Sequence, residues 1–341
     1  MILLLLVLLR TLHLHIGPKE LVLGAVNAVK EYGCETVLVG DEKIIRELLV
    51  KYGADKNPKI TIHHASEVIA MDEHPAIAVK SKKDASIVVA AGLLRNNECD
   101  ALVSSGSTGA AVASALFCVG RIRGVERPAI ATPIPSLKGT TVVLDSGAKV
   151  DAKPEHMVQS AIMGTVYAEK ILKISQPKVG LLNIGEEETK GNEQALATYP
   201  LLKDTRTINF IGNVEGRDIN KGTVDVVVCD GFVGNVVLKF GEGLAKAIMT
   251  LIKEAIMNGG ILAKLGGLLI KPALKGLKKR LDPAEYGGAL LLGIRAPFII
   301  CHGSSKAKAI TNAIHVAMDF AEQDVVSIIK DKIAESKEMR N

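Results

Sequence analysis

The stretch that decides the fold is D-V-V-V-C-D-G-F-V-G-N-V-V-L-K-F-G-E-G, residues 225–243. Its run Val226–Cys229 is short, apolar and β-branched, which is typical of a strand buried on both faces. We expect the strand to end at Asp230-Gly231 and a helix to follow Gly234-Asn235. Such a turn presents polar side chains at the carboxyl edge of a sheet, where open α/β sheets bind ligands. The following helix N-terminus would offer free N–H groups to an anion, although an ordinary strand-to-helix turn has the same pattern.

The same strand-to-helix rhythm recurs along the chain. An apolar run up to Leu9 predicts a buried first strand, and a turn at Gly17-Pro18 opens a helix to about Lys30. Further strands are predicted at Thr36–Gly40, Ile60–His64, Ala129–Thr132, Thr141–Asp145, Val179–Ile184, Thr207–Ile211 and Phe298–Cys301. This alternation predicts an α/β fold with three layers, a mostly parallel sheet covered by helices on both faces. Since no repeat or linker interrupts it, we expect one αβα domain over residues 1–341.

Composition narrows the class of function. Aromatic residues make up 3% of the 341 residues and tryptophan is absent, so stacking platforms for nucleic-acid bases are not expected. The five cysteines are odd in number and lack C-x-x-C spacing. This pattern indicates reduced thiols in a cytosolic protein rather than a disulfide framework or a zinc site.

One segment, Leu244–Leu281, breaks the rhythm and carries the basic charge. It contains eight basic residues and one acidic residue, a charge of +7, whereas the chain as a whole is +5. The segment predicts a protruding amphipathic helical hairpin over 244–285. Residues 244–257 have helical character, Asn258-Gly259-Gly260 breaks the helix, 261–270 form an apolar tip, and a lysine-rich stretch returns. An apolar hairpin with basic flanks suits an anionic membrane surface, and a dimer interface is the alternative. The predicted membrane-contact residues are Ile261, Leu262, Lys264, Leu265, Leu268, Leu269 and Lys271.

Four polar loops follow predicted strands, and we expect them to share one edge of the sheet. They are S-S-G-S-T-G (104–109), D-S-G-A-K-V-D-A-K-P-E-H (145–156), N-I-G-E-E-E-T-K-G-N-E (183–193) and G-N-V-E-G-R-D-I (212–219). Together they would form a crevice of cations and amides suited to phosphate or to a developing oxyanion. The first loop lacks the lysine of a nucleotide P-loop, and no dinucleotide fingerprint is present. No nucleophile–base pair is evident either, which favours direct displacement between two bound substrates.

These motifs carry a family resemblance. Seven motifs resemble those of the bacterial phosphate acyltransferase family of phospholipid synthesis (PlsX). They are V-G-L-L-N-I-G-E-E-E-T-K-G-N-E, I-N-F-I-G-N-V-E-G-R-D, D-V-V-V-C-D-G-F-V-G-N-V-V-L-K, E-Y-G-G-A-L-L-L-G-I-R-A-P, H-G-S-S, V-D-A-K-P-E-H and G-R-I-R-G-V-E-R-P-A-I-A. The resemblance spans roughly residue 18 to the C-terminus and implies an isocitrate/isopropylmalate-dehydrogenase-like fold, related to phosphotransacetylases. It also implies a cytoplasmic homodimer, peripherally associated with the membrane, that makes acyl phosphate from acyl-acyl carrier protein and inorganic phosphate. The downstream glycerol-3-phosphate acyltransferase is a further expected partner, and no metal or other cofactor is implied.

Three departures from the family pattern stand out. The family opens with D-A-M-G-G-D-x-A-P, where this chain has R-T-L-H-L-H-I-G-P, residues 10–18. Either part of the site is lost or residues 1–16 do not represent the native gene. Ser107 and Lys149 stand where the family has asparagine, and both changes would alter contacts to phosphate.

The resemblance and the loop chemistry together give a set of candidate site residues. Lys190 is expected to neutralise phosphate or the tetrahedral oxyanion, and Asn235 to donate a hydrogen bond to that oxyanion. The candidate phosphate or substrate contacts are Ser105, Ser107, Thr108, Asp145, Lys149, Asn192, Arg217, Asp230, His302, Ser304 and Ser305. Alternatives to the expected activity are an acyl-CoA:phosphate acyltransferase like the phosphotransacetylases, a dehydrogenase on the same fold, and an inactive membrane-bound scaffold.

Overall fold

A computed structural model describes the backbone of residues 3–7 and all of residues 17–339 except the side chains of Lys278 and Pro283. The departure from the family pattern at residues 10–16 lies outside the described residues. Eleven strands form one sheet in the described part of the chain. They are β1 Leu3–Val7, β2 Glu35–Gly40, β3 Ile60–His64, β4 Ala101–Ser105, β5 Ala129–Ser136, β6 Gly139–Leu144, β7 Lys178–Asn183, β8 Asn209–Glu215, β9 Val226–Val228, β10 Ala289–Leu292 and β11 Phe298–Cys301.

Twelve α-helices belong to the same described residues. They are α1 Gly17–Tyr32, α2 Glu42–Lys51, α3 Pro75–Ser81, α4 Ser86–Arg95, α5 Thr108–Ser114, α6 Pro154–Lys170, α7 Glu193–Lys203, α8 Gly216–Lys221, α9 Gly231–Asn258, α10 Gly260–Leu281, α11 Ala307–Glu322 and α12 Val325–Glu338. A π-helical turn at Ala115–Val119 extends α5, and a 3₁₀ turn occupies Pro283–Tyr286. Among the described residues, no helix combines the length and apolarity needed to cross a bilayer.

The sheet has two parallel halves that run in opposite directions. Its order is β3-β2-β1-β4-β11-β10-β5-β6-β9-β7-β8. Strands β3, β2, β1, β4 and β11 are parallel to one another, and so are β6, β9, β7 and β8. Three consecutive antiparallel pairings, β11 with β10, β10 with β5 and β5 with β6, reverse the direction between the halves. The predicted mostly parallel sheet is confirmed, while β10 and the reversal were not predicted.

The layers follow from period-two burial in the strands. Val142 and Leu144 of β6 pack on one face, in a core with α1, α6, α11 and α12. Val143, between them, packs on the other face against residues of α8 and the base of α9. In the other half of the sheet, Leu102 and Phe298 pack against α4 and α5. The predicted three-layer αβα architecture is therefore confirmed.

Helices α9 and α10 form the hairpin, although its detailed shape differs from the prediction. The apolar segment 261–270 is the first half of α10, not a tip loop, and Asn258–Gly260 makes the turn. The segment is helical because its apolar residues recur at helical spacing, and Gly267 allows α10 to approach Ile256 closely. In α9 only Gly231 and Gly234 are buried. At the other end, Arg280 Nη2 donates to the carbonyl oxygens of Ser136 (2.6 Å) and Leu137 (2.9 Å), which ties α10 to the β5–β6 turn.

Candidate active site

The loop after β6 is organised by the buried carboxylate of Asp145. Its Oδ1 accepts hydrogen bonds from the backbone N–H groups of Ile130 (2.9 Å), Gly147 (3.1 Å) and Ala148 (2.9 Å), and Oδ2 accepts from Lys149 (2.8 Å). Burial raises the pKa of Asp145, and the four donors oppose this shift by favouring the carboxylate. With both oxygens accepting hydrogen bonds, Asp145 fixes the loop, and its contact with phosphate stays a prediction.

The first turn of α9 packs directly on this loop. The backbone N–H of Gly231 donates to the carbonyl oxygen of Lys149 (2.9 Å). A β-carbon at Gly234 would overlap the carbonyl oxygen of Asp145 and lie 2.9 Å from Cys229 Sγ, so only glycine fits. These glycines let the first turn of α9 approach the β6 loop closely.

The N-terminus of α9 does not offer the free N–H groups that the sequence predicted. Asp230 Oδ1 accepts from the N–H groups of Phe232 (2.8 Å) and Val233 (2.9 Å), so Asp230 acts as the N-cap. The Gly234 N–H is bonded to the carbonyl oxygen of Asp230 (3.0 Å). The prediction of an anion site at this helix end is wrong because the chain supplies its own carboxylate there. For the same reason Asp230 is a helix cap in this structure.

Asn235 is the polar side chain left available at this junction. A β-carbon at Gly147 would lie 3.8 Å from both Cβ and Cγ of Asn235, so the amide stands beside the β6 loop. Asn235 is half-buried, and its side chain forms no hydrogen bond with the rest of the described chain. An oriented, unpaired amide next to a glycine is suited to donating a hydrogen bond to a substrate oxygen.

The loop after β7 brings Lys190 to the same edge of the sheet. Its backbone carbonyl accepts from Asn183 Nδ2 (2.9 Å), and its N–H donates to Glu187 O (3.1 Å), which defines the loop. The Lys190 ammonium is exposed and forms no ion pair within residues 17–339. Asn192 caps α7, since its Oδ1 accepts from Ala195 N–H (2.9 Å), and only its NH₂ group remains for a ligand.

The loop after β8 contributes less than expected. Arg217 is exposed, and its Nε lies 2.6 Å from Oε2 of Glu215 at the end of the strand. This ion pair compensates the guanidinium charge. Arg217 lies at the edge shared by Lys190 and Asn235, and its guanidinium is already paired with Glu215.

The serine loop, residues 104–109, belongs to the other parallel half of the sheet, which the sequence did not predict. It follows β4, which runs opposite to β6, β7, β8 and β9. Ser107 Oγ caps α5 by accepting from Ala110 N–H (3.3 Å), and Thr108 is exposed. Ala148 nevertheless packs against the hydrophobic cluster that contains Ala110, so the serine loop borders the same cluster as the Asp145 loop.

The residues after β11 accompany the serine loop. Ser105 Oγ donates to the carbonyl oxygen of His302 (3.0 Å), and Ser305 N–H donates to the same oxygen (2.9 Å). His302 Nδ1 accepts from Ser304 N–H (3.2 Å) and lies 2.6 Å from Ser304 Oγ, which leaves Nε2 as the free ring nitrogen. The structure therefore divides the predicted residues into two groups, which follow strands of the two parallel halves.

Sequence reasoning missed one cation at the Lys190 edge, Arg127. It precedes β5, and the antiparallel pairing of β5 with β6 places the start of β5 beside the end of β6. The signal was present in the motif G-V-E-R-P-A-I-A, but a parallel arrangement would have placed that arginine at the far edge. Cys229 also lies here, and burial raises the pKa of its thiol well above its usual value, which makes it a poor nucleophile. All five cysteines are free, as expected.

The predicted membrane-contact side chains are all exposed. Leu262 and Leu269 are 85% and 81% exposed, and Ile261, Leu265 and Leu268 are more than half exposed. Lys264 and Lys271 are exposed on the same helix. A group of exposed leucines this dense is unusual on a free surface and marks an interaction surface.

The fold is shared with two solved phosphotransacetylases. The structure is similar to a phosphotransacetylase from Streptococcus pyogenes, with a TM-score of 0.64 and 17% identity over 94% of each chain. It is also similar to the EutD phosphotransacetylase from Staphylococcus aureus, with a TM-score of 0.59 and 14% identity over 94% of each chain. At these identities the likeness shows a shared phosphotransacylase fold.

The sequence comparisons define the family. Residues 10–328 match the family described as fatty acid synthesis protein. A phosphate acyltransferase from Pelotomaculum thermopropionicum is 55% identical over 93% of this chain and 92% of its own. One from Heliobacterium modesticaldum is 54% identical over 93% and 94%. The chain belongs to this family, the PlsX family of phosphate acyltransferases, so the resemblance read from the motifs is confirmed.

Proposed function

We propose that the protein transfers a fatty acyl group reversibly from acyl-acyl carrier protein to inorganic phosphate, which gives acyl phosphate for phospholipid synthesis. The observation that carries the proposal is the unpaired Asn235 amide, held beside Gly147 at the edge where Lys190 also lies. Membership of a phosphate acyltransferase family supports the reaction class. The identity of the acyl donor, acyl-acyl carrier protein, is the more specific claim of the proposal.

The chemistry is a direct displacement. A phosphate oxygen attacks the thioester carbonyl carbon, and the carbonyl oxygen becomes an oxyanion that accepts a hydrogen bond from the Asn235 amide. The carbonyl re-forms as the C–S bond breaks, and the leaving thiolate takes a proton from water. Lys190 compensates the negative charge of phosphate or of the oxyanion. Since the α9 N-terminus is capped by Asp230, the side-chain amide of Asn235 supplies the donor that a free helix end would otherwise provide.

Acyl-CoA is the alternative donor. The similarity of the whole chain to phosphotransacetylases favours it as the second candidate, since both donors present a thioester on a phosphopantetheine arm. The two are separated by the donor alone: phosphate-dependent thiol release is measured with long-chain acyl-acyl carrier protein and with the matching acyl-CoA. A carrier-protein preference supports the proposal, and equal or better use of acyl-CoA contradicts it.

The departure at residues 10–16 calls for a matched chain in the same assay. That chain carries D-A-M-G-G-D before Gly17-Pro18. Turnover by both chains shows that the family loop is dispensable. Turnover by the restored chain alone shows that the first sixteen residues prevent the family activity, and turnover by neither leaves the membrane-bound scaffold as the function.

We also propose that the α9–α10 hairpin makes contact with an anionic membrane surface from the cytoplasmic side. The exposed leucines of α10 lie among lysines, which is the composition of interfacial helices. The stripe Phe232, Val236, Phe240, Leu244 and Ile248 on α9 is exposed as well and supports a homodimer in which a second copy covers it. Next to the membrane, the unstable acyl phosphate would pass to the downstream glycerol-3-phosphate acyltransferase.

A further inference from the structure

A second set of cations surrounds the loop that Asp145 organises. The start of β5 and the end of β6 are joined by two hydrogen bonds, from Ile130 N–H to Asp145 Oδ1 (2.9 Å) and from Ser146 N–H to Ile130 O (3.0 Å). Arg127 lies three residues before Ile130, and Lys149 lies four residues after Asp145. Lys153 closes the same loop as the N-cap residue of α6.

The backbone at Lys149 is fixed on both sides. Its N–H donates to Asp145 Oδ2 (2.8 Å), and its carbonyl oxygen accepts from Gly231 N–H (2.9 Å). The lysine side chain therefore starts from a defined position between the β6 loop and the first turn of α9. Asn235, in the next turn of that helix, stands beside Gly147 of the same loop.

The charged side chains around this loop are largely unpaired. Among the described residues, none of Arg127, Lys149 and Lys153 forms an ion pair. Of the nearby acids, Asp145 is taken up by four N–H donors, and Glu126 Oε2 lies 3.4 Å from His156 Nε2. Asp151 and Glu155, on either side of Lys153, are exposed, and no described acid forms an ion pair with any of the three cations.

The three cations lie close enough to affect one another's titration. Partial burial, followed by the charges of Arg127 and Lys153, lowers the pKa of Lys149. Burial and the charge of Lys149 lower the pKa of His156, while Glu126 acts in the opposite direction. His156 Nδ1 accepts from Lys153 N–H (3.1 Å), which fixes the ring beside the cations. A bound anion would relieve this repulsion between like charges.

We propose that Arg127, Lys149 and Lys153 form a binding site for a phosphate group, with Asn235 at its inner end. The inference rests on the proposed function and specifies where that reaction holds its phosphate. Two sources share the chemistry: the inorganic phosphate acceptor and the phosphodiester of the carrier's phosphopantetheine arm. Arginine matches phosphate oxygens in a bidentate way, and lysine supplies a point charge. Lys149 adds a cation where the family motif has asparagine.

The first arm of the test measures binding of inorganic phosphate to the full chain by calorimetric titration, without any turnover. Lys149→Asn and Arg127→Gln are each expected to weaken the binding about tenfold, as for the loss of one hydrogen bond between charged groups. Lys138→Asn is the matched control, because Lys138 is exposed at the opposite end of the same strand pair. Thermal midpoints close to that of the unaltered chain show that Lys149→Asn folds, since the backbone bonds of residue 149 remain.

The second arm measures thiol release with phosphate and acyl-carrier protein varied separately. A rise in KM for phosphate alone assigns the site to the acceptor, and a rise in KM for the carrier with unchanged phosphate binding assigns it to the phosphodiester. Unchanged values in both arms for both variants overturn the proposal. Phosphate binding through Lys149 without thiol release by either the unaltered or the restored chain contradicts the proposed function and leaves the phosphate site standing.

Discussion

Two parts of α9 can be compared directly, because they belong to one continuous helix of 28 residues. The first turn packs on the Asp145 loop, where Gly231 and Gly234 are buried and every described N–H has a partner. Beyond Val237 the helix leaves the body of the protein, and apolar side chains such as Phe240 and Leu251 are 69% and 62% exposed. The difference shows that one helix can hold a site residue in place at its first turn and expose an apolar surface at its other end.

Substituting a glycine at each end tests this comparison most strongly. Gly234→Ala places a methyl group against the carbonyl oxygen of Asp145, a backbone atom that cannot move aside. We expect a loss of about 4 kcal/mol or more in the free energy of unfolding, as for severe overpacking, seen as a large fall in the thermal midpoint. Gly241→Ala is the control, since a β-carbon there meets nothing within 4 Å. It is expected to stabilise the helix by up to about 1 kcal/mol. Equal effects of both changes would show that the first turn is not tightly packed.

The second test separates chemistry from packing within the site. Asn235→Ala and Lys190→Ala are each expected to lower kcat about 10²–10³-fold, the usual loss for one oxyanion donor or compensating charge. Thermal midpoints should change little, because neither side chain is paired with another described residue. The measurement is phosphate-dependent thiol release by the chain that turns over, unaltered or restored. Near-normal turnover of Lys190→Ala would remove that residue from the mechanism.

The third test addresses the outer end of the hairpin. Leu262→Asp with Leu269→Asp is expected to weaken binding to vesicles containing anionic lipid about tenfold or more, since two exposed apolar contacts are lost and two negative charges are added. Vesicle co-sedimentation is the measurement, and Val50→Asp, at an exposed apolar position of α2, is the control. Binding that survives the double change would favour the dimer interface as the role of this surface.

The smallest expected effect concerns pH. Burial, followed by the charge of Lys149, lowers the pKa of His156 in the folded protein below 6.5. Above that value the ring is neutral in both states, and its contribution to stability is complete. As the pH falls, the unfolded chain binds a proton first, so stability is lost towards the lower folded pKa. The drop in thermal midpoint between about pH 7.5 and about pH 5.5 should be smaller for His156→Gln than for the unaltered chain. His63→Gln, an exposed position, should leave that drop unchanged.

Much of the fold could be predicted from the sequence because buried parallel strands have a recognisable pattern, a short apolar run between turn residues. Val226–Val228 and Phe298–Cys301 are apolar runs flanked by turn residues, and both proved to be strands. Strand β10 was missed, since Ala289–Leu292 connects to β11 without an intervening helix and therefore breaks the expected rhythm. The direction of a strand is not written in its hydrophobic pattern. This is why the reversal through β10 and β5 was not predicted.

The sequence could predict which residues lie at the candidate site, but not which groups their side chains contact. Lys190 and Asn235 lie at one edge as expected, because both follow strands of the same parallel half. Asp145 and Asp230 were assigned to substrate, yet their oxygens accept backbone N–H groups. An aspartate that binds a ligand and one that holds a turn look identical in sequence. Only the completed hydrogen-bond network distinguishes them.

The continuity of α9 sets limits for protein engineering. A shortened form without the apolar hairpin has to retain residues 231–237, since Val233 and Val237 pack on the core and Asn235 lies between them. On the return side, Arg280 has to be kept for its bonds to the β5–β6 turn. Packed helices lie about 8–10 Å apart, so a short glycine-containing loop could join the retained ends of α9 and α10. Such a chain would lack the exposed leucines of α10 while keeping Val233 and Val237 packed on the core.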